Sequence, residues 1–169
     1  MIYIIIIIAI IAFIIYLSSK GNADIKNVEK NGGLKNKYKT LIDLIMARNS
    51  FYKLNEINSN NIALTNTGMT FKLIEMDKKL QIVWVWNSFG SGKNHKLVWK
   101  FDENEDQTKM YQKMDEDMAI QNLIDDGMTK QQAEDFYLIN KTSDKNKQNQ
   151  LVEKFSKKHP ELWSKITGE

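Results

Sequence analysis

The densest run of potentially reactive residues is Asn87-Ser88-Phe89-Gly90-Ser91-Gly92-Lys93-Asn94, followed by His95. Gly-Ser-Gly-Lys is the material of a phosphate cradle, in which glycine amides approach an anion and a lysine neutralises it. A P-loop, however, needs glycine five positions before the Gly-Lys pair and Ser or Thr after the lysine. Asn87 and Asn94 occupy those places. Ser88, Ser91 and His95 also put hydroxyls near an imidazole, as a nucleophile and its base would be. Gly90 and Gly92 flank Ser91 directly, so the serine elbow G-x-S-x-G is unmatched. No carboxylate or oxyanion hole can be assigned to complete a triad. Ser88, Ser91, Lys93 and His95 therefore stand as a speculative ligand-binding set, and no residue is assigned a catalytic role.

Other constellations read more simply as structure. Asp102-x-Asn104-x-Asp106 begins like a calcium loop, but Gln107 stands where the turn needs glycine and Lys113 where the bidentate glutamate belongs. Residues 102–126 hold nine acidic side chains against Lys109 and Lys113, the pattern of a solvated helix face. Trp84, Trp86 and Trp99 could form a binding platform; alternation instead makes them the core side of a sheet. Met110, Met114 and Met118, spaced by four, read as a buried stripe and, if exposed, as an adaptable partner groove. The helix-turn-helix look of 115–139 carries Glu134 and Asp135 and only Lys130 on its second helix, where a DNA-reading helix should be basic. The chain has no cysteine, which removes disulfides, thiolate catalysis and Cys-ligated metal. No metal or cofactor is expected. Arg48 is the only arginine and the net charge is +3. Both argue against sequence-specific nucleic-acid reading, for which arginine is the preferred fork.

The elements that must position these residues follow from periodicity. Leu34, Tyr38, Leu41, Ile42, Ile45 and Met46 share one helical face. From Ser50 the period becomes two: strands are expected over 51–57, 62–65, 70–76, 80–86 and 96–101, with turns at Asn66-Thr67-Gly68 and Asp77-Lys78-Lys79. Leu80–Trp86 is apolar at nearly every position and predicts a central strand covered on both faces. In 96–101, Leu97, Trp99 and Phe101 should face inward. The 87–95 run then joins two strands, so no helix dipole aids anion binding there. After Asp102 the chain reads as helices. Gly127 stops the first and Thr129 with Gln132 caps the second. A polar stretch over 140–150 leads to a helix around Leu151 and Phe155. Pro160 opens a last helix. The expected class is α+β: a helix, an antiparallel meander of four to five strands and C-terminal helices.

Met1–Leu17 carries no charged side chain and, as a helix, spans about 25 Å. That is the short end of what crosses a bilayer. Tyr3 and Tyr16 suit the two interfaces. No basic region precedes the run and no good small-x-small site follows, so an uncleaved signal-anchor is expected rather than a signal peptide. The expected organisation is a transmembrane anchor over 1–19, a lysine-rich tether over 20–33 and a soluble domain over 34–169. Lys20, Lys26, Lys30, Lys35 and Lys37 all follow the span, which predicts a cytoplasmic soluble domain; the periplasmic or extracytoplasmic side is the alternative. Membrane-proximal Lys20, Lys26 and Lys30 would also feel anionic headgroups. The expected partners are the lipid bilayer and a protein.

Three functions fit these features. The first is a non-enzymatic, membrane-anchored interaction or scaffold module. The second is a small-ligand or lipid-headgroup binding domain. The third is an enzyme of unrecognised class using the 87–95 loop. A reporter fused after Glu169 that works only in the cytoplasm should be active; activity confined to a periplasm-specific reporter would reverse the predicted orientation.

Overall fold

The computed structural model describes residues 10, 25–26, 28–30, 32–87 and 94–168. Among the described residues no helix is long and apolar enough to cross a membrane. The expected span over 1–19 lies outside them, Ile10 excepted, as do Lys20 and the loop residues Ser88, Ser91 and Lys93. The chain forms two compact units, one up to Gln112 and one from Lys113.

The first unit is built on a five-stranded antiparallel sheet in the order β1-β2-β3-β4-β5. The strands are β1 (Lys53–Asn58), β2 (Asn61–Asn66), β3 (Met69–Met76), β4 (Lys79–Asn87) and β5 (Asn94–Asp102). Each pairs with its sequence neighbour, so the sheet is a meander. Among the described residues, helical positions at 25–26 and 28–30 and the helices α1 (Leu34–Lys37) and α2 (Lys39–Arg48) precede it. The period-3.6 stripe does its expected work: Leu34, Tyr38, Leu41, Ile42 and Ile45 are buried. Tyr38, at φ −113° and ψ 33°, separates the two helices. The stretch read as a tether contributes to this packing at its end. Val28 is fully buried, and Gly33 N–H donates to the Val28 carbonyl and Gly32 N–H to that of Glu29. This is a Schellman ending, which requires the positive φ of Gly32.

Alternation gives the sheet one dry face. Ile62, Leu64, Phe71, Leu73, Leu80, Ile82, Trp84, Trp86, Trp99 and Phe101 share it by register and all are buried. The expectation that β4 is covered on both faces is wrong. Val83 and Val85 are only half-buried, and Val98 beside Val83 is 45% exposed. β4 also lies next to an edge rather than at the centre. The apolar run reflects the preference of β-branched side chains for extended backbone, not a second layer over them.

The second unit takes most of α3 (Gln107–Asp125), then α4 (Lys130–Lys141), α5 (Lys145–Lys158) and α6 (Pro160–Thr167). Met110, Met114 and Met118 are all buried, so the stripe is core. Gly127, at φ 101°, closes α3 with a second Schellman pair: Met128 N–H to the Leu123 carbonyl and Gly127 N–H to that of Ile124. Thr129 and Gln132 form the expected capping box. The polar stretch 140–150 is more ordered than its composition suggests. Asp144 accepts from the Asn146 and Lys147 amides, so α5 begins at Lys145, well before its first apolar residue. Pro160 occupies the first turn of α6.

The β3–β4 turn is a two-residue connection in which Asp77 and Lys78 both have positive φ, 53° and 58°. That geometry favours glycine at its second position. Lys78→Gly should stabilise the protein by about 0.5–1 kcal/mol, read as a raised midpoint in urea; a lowered midpoint would show that the lysine side chain holds the turn.

Candidate functional site

The glycine-rich loop connects β4 to β5 across the last pair, Asn87 with Asn94, as expected of a hairpin and not of a phosphate cradle. Of the speculative set only His95 is described. It lies on the covered face of the sheet, opposite Trp86, and stacks on it with ring centroids 5.0 Å apart. Trp86 stacks on Trp84 at 3.8 Å, Trp84 on Phe71 at 5.7 Å, and Tyr52 meets Phe71 edge-on. The three tryptophans are thus core, and His95 is the last ring of an aromatic ladder.

Towards the other end of that face lies a cluster that sequence reasoning missed. Lys37 of α1 donates to Glu75 Oε1 and to Glu103 Oε2, each at 2.7 Å. Glu75 is the one buried charged residue of the described chain. The three come from sequence positions 38 and 66 apart, so no local spacing announces them. Glu75 sits at a core position of β3, where an acidic residue between Leu73 and the Asp77 turn is the only hint. Burial works against the Lys37 charge, but its hydrogen bonds to Glu103 and Glu75 more than offset this and raise its pKa. Tyr38 lies alongside, and burial, followed by the charge of Glu75, pushes its hydroxyl well above the usual range. Gln107 adds a crosslink: its side chain donates to the Lys37 carbonyl and accepts from the Leu41 amide. One ammonium bridging two carboxylates is a clamp between helix and sheet. The second oxygen of Glu75, Oε2, is buried beside it with no hydrogen-bond partner among the described residues.

Two further acidic residues near the cluster are engaged locally. Asp102 pairs with Lys79, and Asp106 accepts from the Lys109 amide at the start of α3. Among the described residues no group of three His, Asp or Glu could hold a metal ion. Of the lysines expected to lie near a membrane, Lys26 and Lys30 are exposed.

Among the described residues, two of the clefts open to solvent bear on function. One in the first unit, about 420 Å³, is lined by Glu29, Lys35, Glu56 and the Gly32-Gly33 turn. Its charges satisfy each other: Lys35 pairs with Glu56 at 3.2 Å and Ser59 donates to Glu29. The other, about 210 Å³, lies between α4 and α5 and is lined by Asp135, Leu138, Leu151, Lys154, Phe155 and Lys158. Leu138 is half-exposed at 50%. Phe155 forms its floor and packs on Phe136, His159 and Trp163. Lys158 donates to Asp135 at 2.9 Å, and this bond, against a smaller cost of burial, holds the Asp135 carboxyl below its ordinary value. Lys154 has no ion-pair partner among the described residues.

Comparison with protein-family models, with curated proteins and with solved structures finds no match to this chain.

Replacing Lys37 by Met leaves the buried Glu75 and the partly buried Glu103 facing each other and should cost about 3–5 kcal/mol, measured by urea unfolding. The parent protein should lose stability as pH rises past about 10. There the unfolded chain releases the Lys37 and Tyr38 protons, which the fold, with both pKa values raised, retains. A stability profile flat from pH 9 to beyond about 11 would contradict the clamp.

Proposed function

We propose that this protein is a single-pass, membrane-anchored interaction module whose helical unit receives a segment of a partner protein in the α4–α5 cleft. The apolar run Met1–Leu17 supplies the anchor, and the lysines that follow it orient the soluble part to the cytoplasm. The observation that carries the reading is the cleft. An exposed leucine beside a buried phenylalanine is an apolar socket, and Lys154 stands at its rim without a carboxylate of its own. Its volume falls below the roughly 300–1,000 Å³ of small-molecule sites. That favours a few side chains of a larger partner over an enclosed ligand. Charge and shape together specify the occupant as a segment with an apolar anchor next to an acidic residue.

A photoreactive amino acid in place of Leu138 should crosslink one discrete protein in native membranes. Lys154→Glu should cut the yield about fivefold, the effect of losing about 1 kcal/mol of charge complementarity. A crosslink indifferent to Lys154→Glu, or none at all, would remove the cleft as the partner site.

A further inference from the structure

The outer face of the sheet in the first unit is unlike the rest of the surface. By register it carries Lys53, Lys72, Lys79, Lys96 and Lys100 on strands β1, β3, β4 and β5. The only carboxylate on these strands' outer positions is Asp102, and Lys79 already pairs with it. Lys53, Lys72, Lys96 and Lys100 are exposed and have no ion-pair partner among the described residues. Between them lie Ile74, Val83, Val85 and Val98, with Met76 at one end, the last two exposed. Lysines on edge strands serve to deter strand addition, which accounts for Lys53, Lys96 and Lys100. It does not account for Lys72, in the central strand of the sheet.

The imbalance has a wider counterpart. Up to Gln112 the chain has fifteen Lys and Arg against ten Asp and Glu, and beyond it nine against eleven. The positive charge therefore belongs to the sheet unit.

We infer that this lysine and valine face lies against the anionic surface of the bilayer. This rests on the reading that Met1–Leu17 holds the chain at a membrane. The chemistry fits a lipid surface better than a folded acidic partner. Every cation on the face is lysine, a point charge on a long apolar stem that reaches headgroups without directional pairing. The residues between the lysines are β-branched side chains on a pleated surface, and neither cleft described above is lined by Ile74, Val83, Val85 or Val98. Apolar contact at the headgroup boundary and attraction of the ammonium groups then act together.

The absence of cysteine makes the test direct. The full chain carrying Val98→Cys is labelled with an environment-sensitive fluorophore and reconstituted into vesicles containing a headgroup-level quencher. Lys39→Cys, on α2 and exposed, reports the opposite side of the same unit. With phosphatidylserine present, the label at position 98 should be quenched and the label at 39 should not. In phosphatidylcholine alone, or at about 0.5 M salt, the quenching should disappear. Combined Lys72→Gln, Lys96→Gln and Lys100→Gln should weaken the docked state about a hundredfold, at about fivefold for each lysine. Tryptophan fluorescence confirms that the variant is folded.

Equal quenching at both positions would overturn the inference, as would no quenching with phosphatidylserine. So would a response of position 98 to added polyglutamate but not to the anionic vesicles, which would assign the face to an acidic protein. Carbonate extraction separates the two readings. A chain that resists extraction while position 98 stays unquenched keeps its anchor and loses this face. A chain that is extracted, yet was quenched beforehand, counts for the face and against the anchor.

Discussion

A sheet of five strands has two faces, and the helices α1 and α2 that precede it cover one of them. Nearly everything in the first unit follows from that constraint. Period-two alternation places Phe71, Leu73, Leu80, Ile82, Trp84, Trp86, Trp99 and Phe101 on the covered side, so a slip of one residue in β5 would bring Lys96, Val98 and Lys100 there in place of Leu97, Trp99 and Phe101. The penalty for that exchange is what fixes the register. The second face inherits whatever remains, and here it inherits lysine, threonine and valine.

The clamp at Lys37 shows how the covering helix is held in place. Apolar packing is non-directional and tolerates sliding. An ammonium shared by Glu75 and Glu103 does not, because displacement abandons either the buried carboxylate of Glu75 or the partly buried one of Glu103. Such a cluster gives little net stability over an apolar replacement; its effect is positional. Gln107 performs a similar service without charge, tying α3 to the Lys37 carbonyl and the Leu41 amide. Helix, sheet and the chain leaving the sheet are thus joined at one point.

The sequence was most legible where a single period or a short offset carries the information. The helical stripe from Leu34, the strand alternation, the Thr129–Gln132 box and the glycine stop at Gly127 all emerge as read. It was least legible where the deciding contact is distant, as with Lys37 and its two carboxylates. It also misled where one residue type answers two demands. Valine at 83 and 85 satisfies extended backbone whether or not anything packs upon it, so composition alone made β4 look doubly buried. Lysine and asparagine around 145–150 hid the first turn of α5 because a capped, solvated turn needs no apolar residue. The candidate site was the hardest to read. Ser88, Ser91, Lys93 and His95 stood out by type, yet His95 is a ring in the core ladder. Leu138 and Lys154 gave no sign, since a socket between two helices depends on which residues happen to face each other.

The meander has a consequence for how the molecule forms. Each strand finds its partner in the segment immediately before or after it, and the Asp77–Lys78 connection between β3 and β4 is as short as a hairpin permits. Pairing therefore closes only small loops, each at a modest entropic cost. The sheet can assemble by successive zippering of adjacent hairpins, without waiting for remote segments to meet. The long-range step is the later arrival of Lys37 beside Glu75 and Glu103, and it converts a ribbon of paired strands into a unit with an inside.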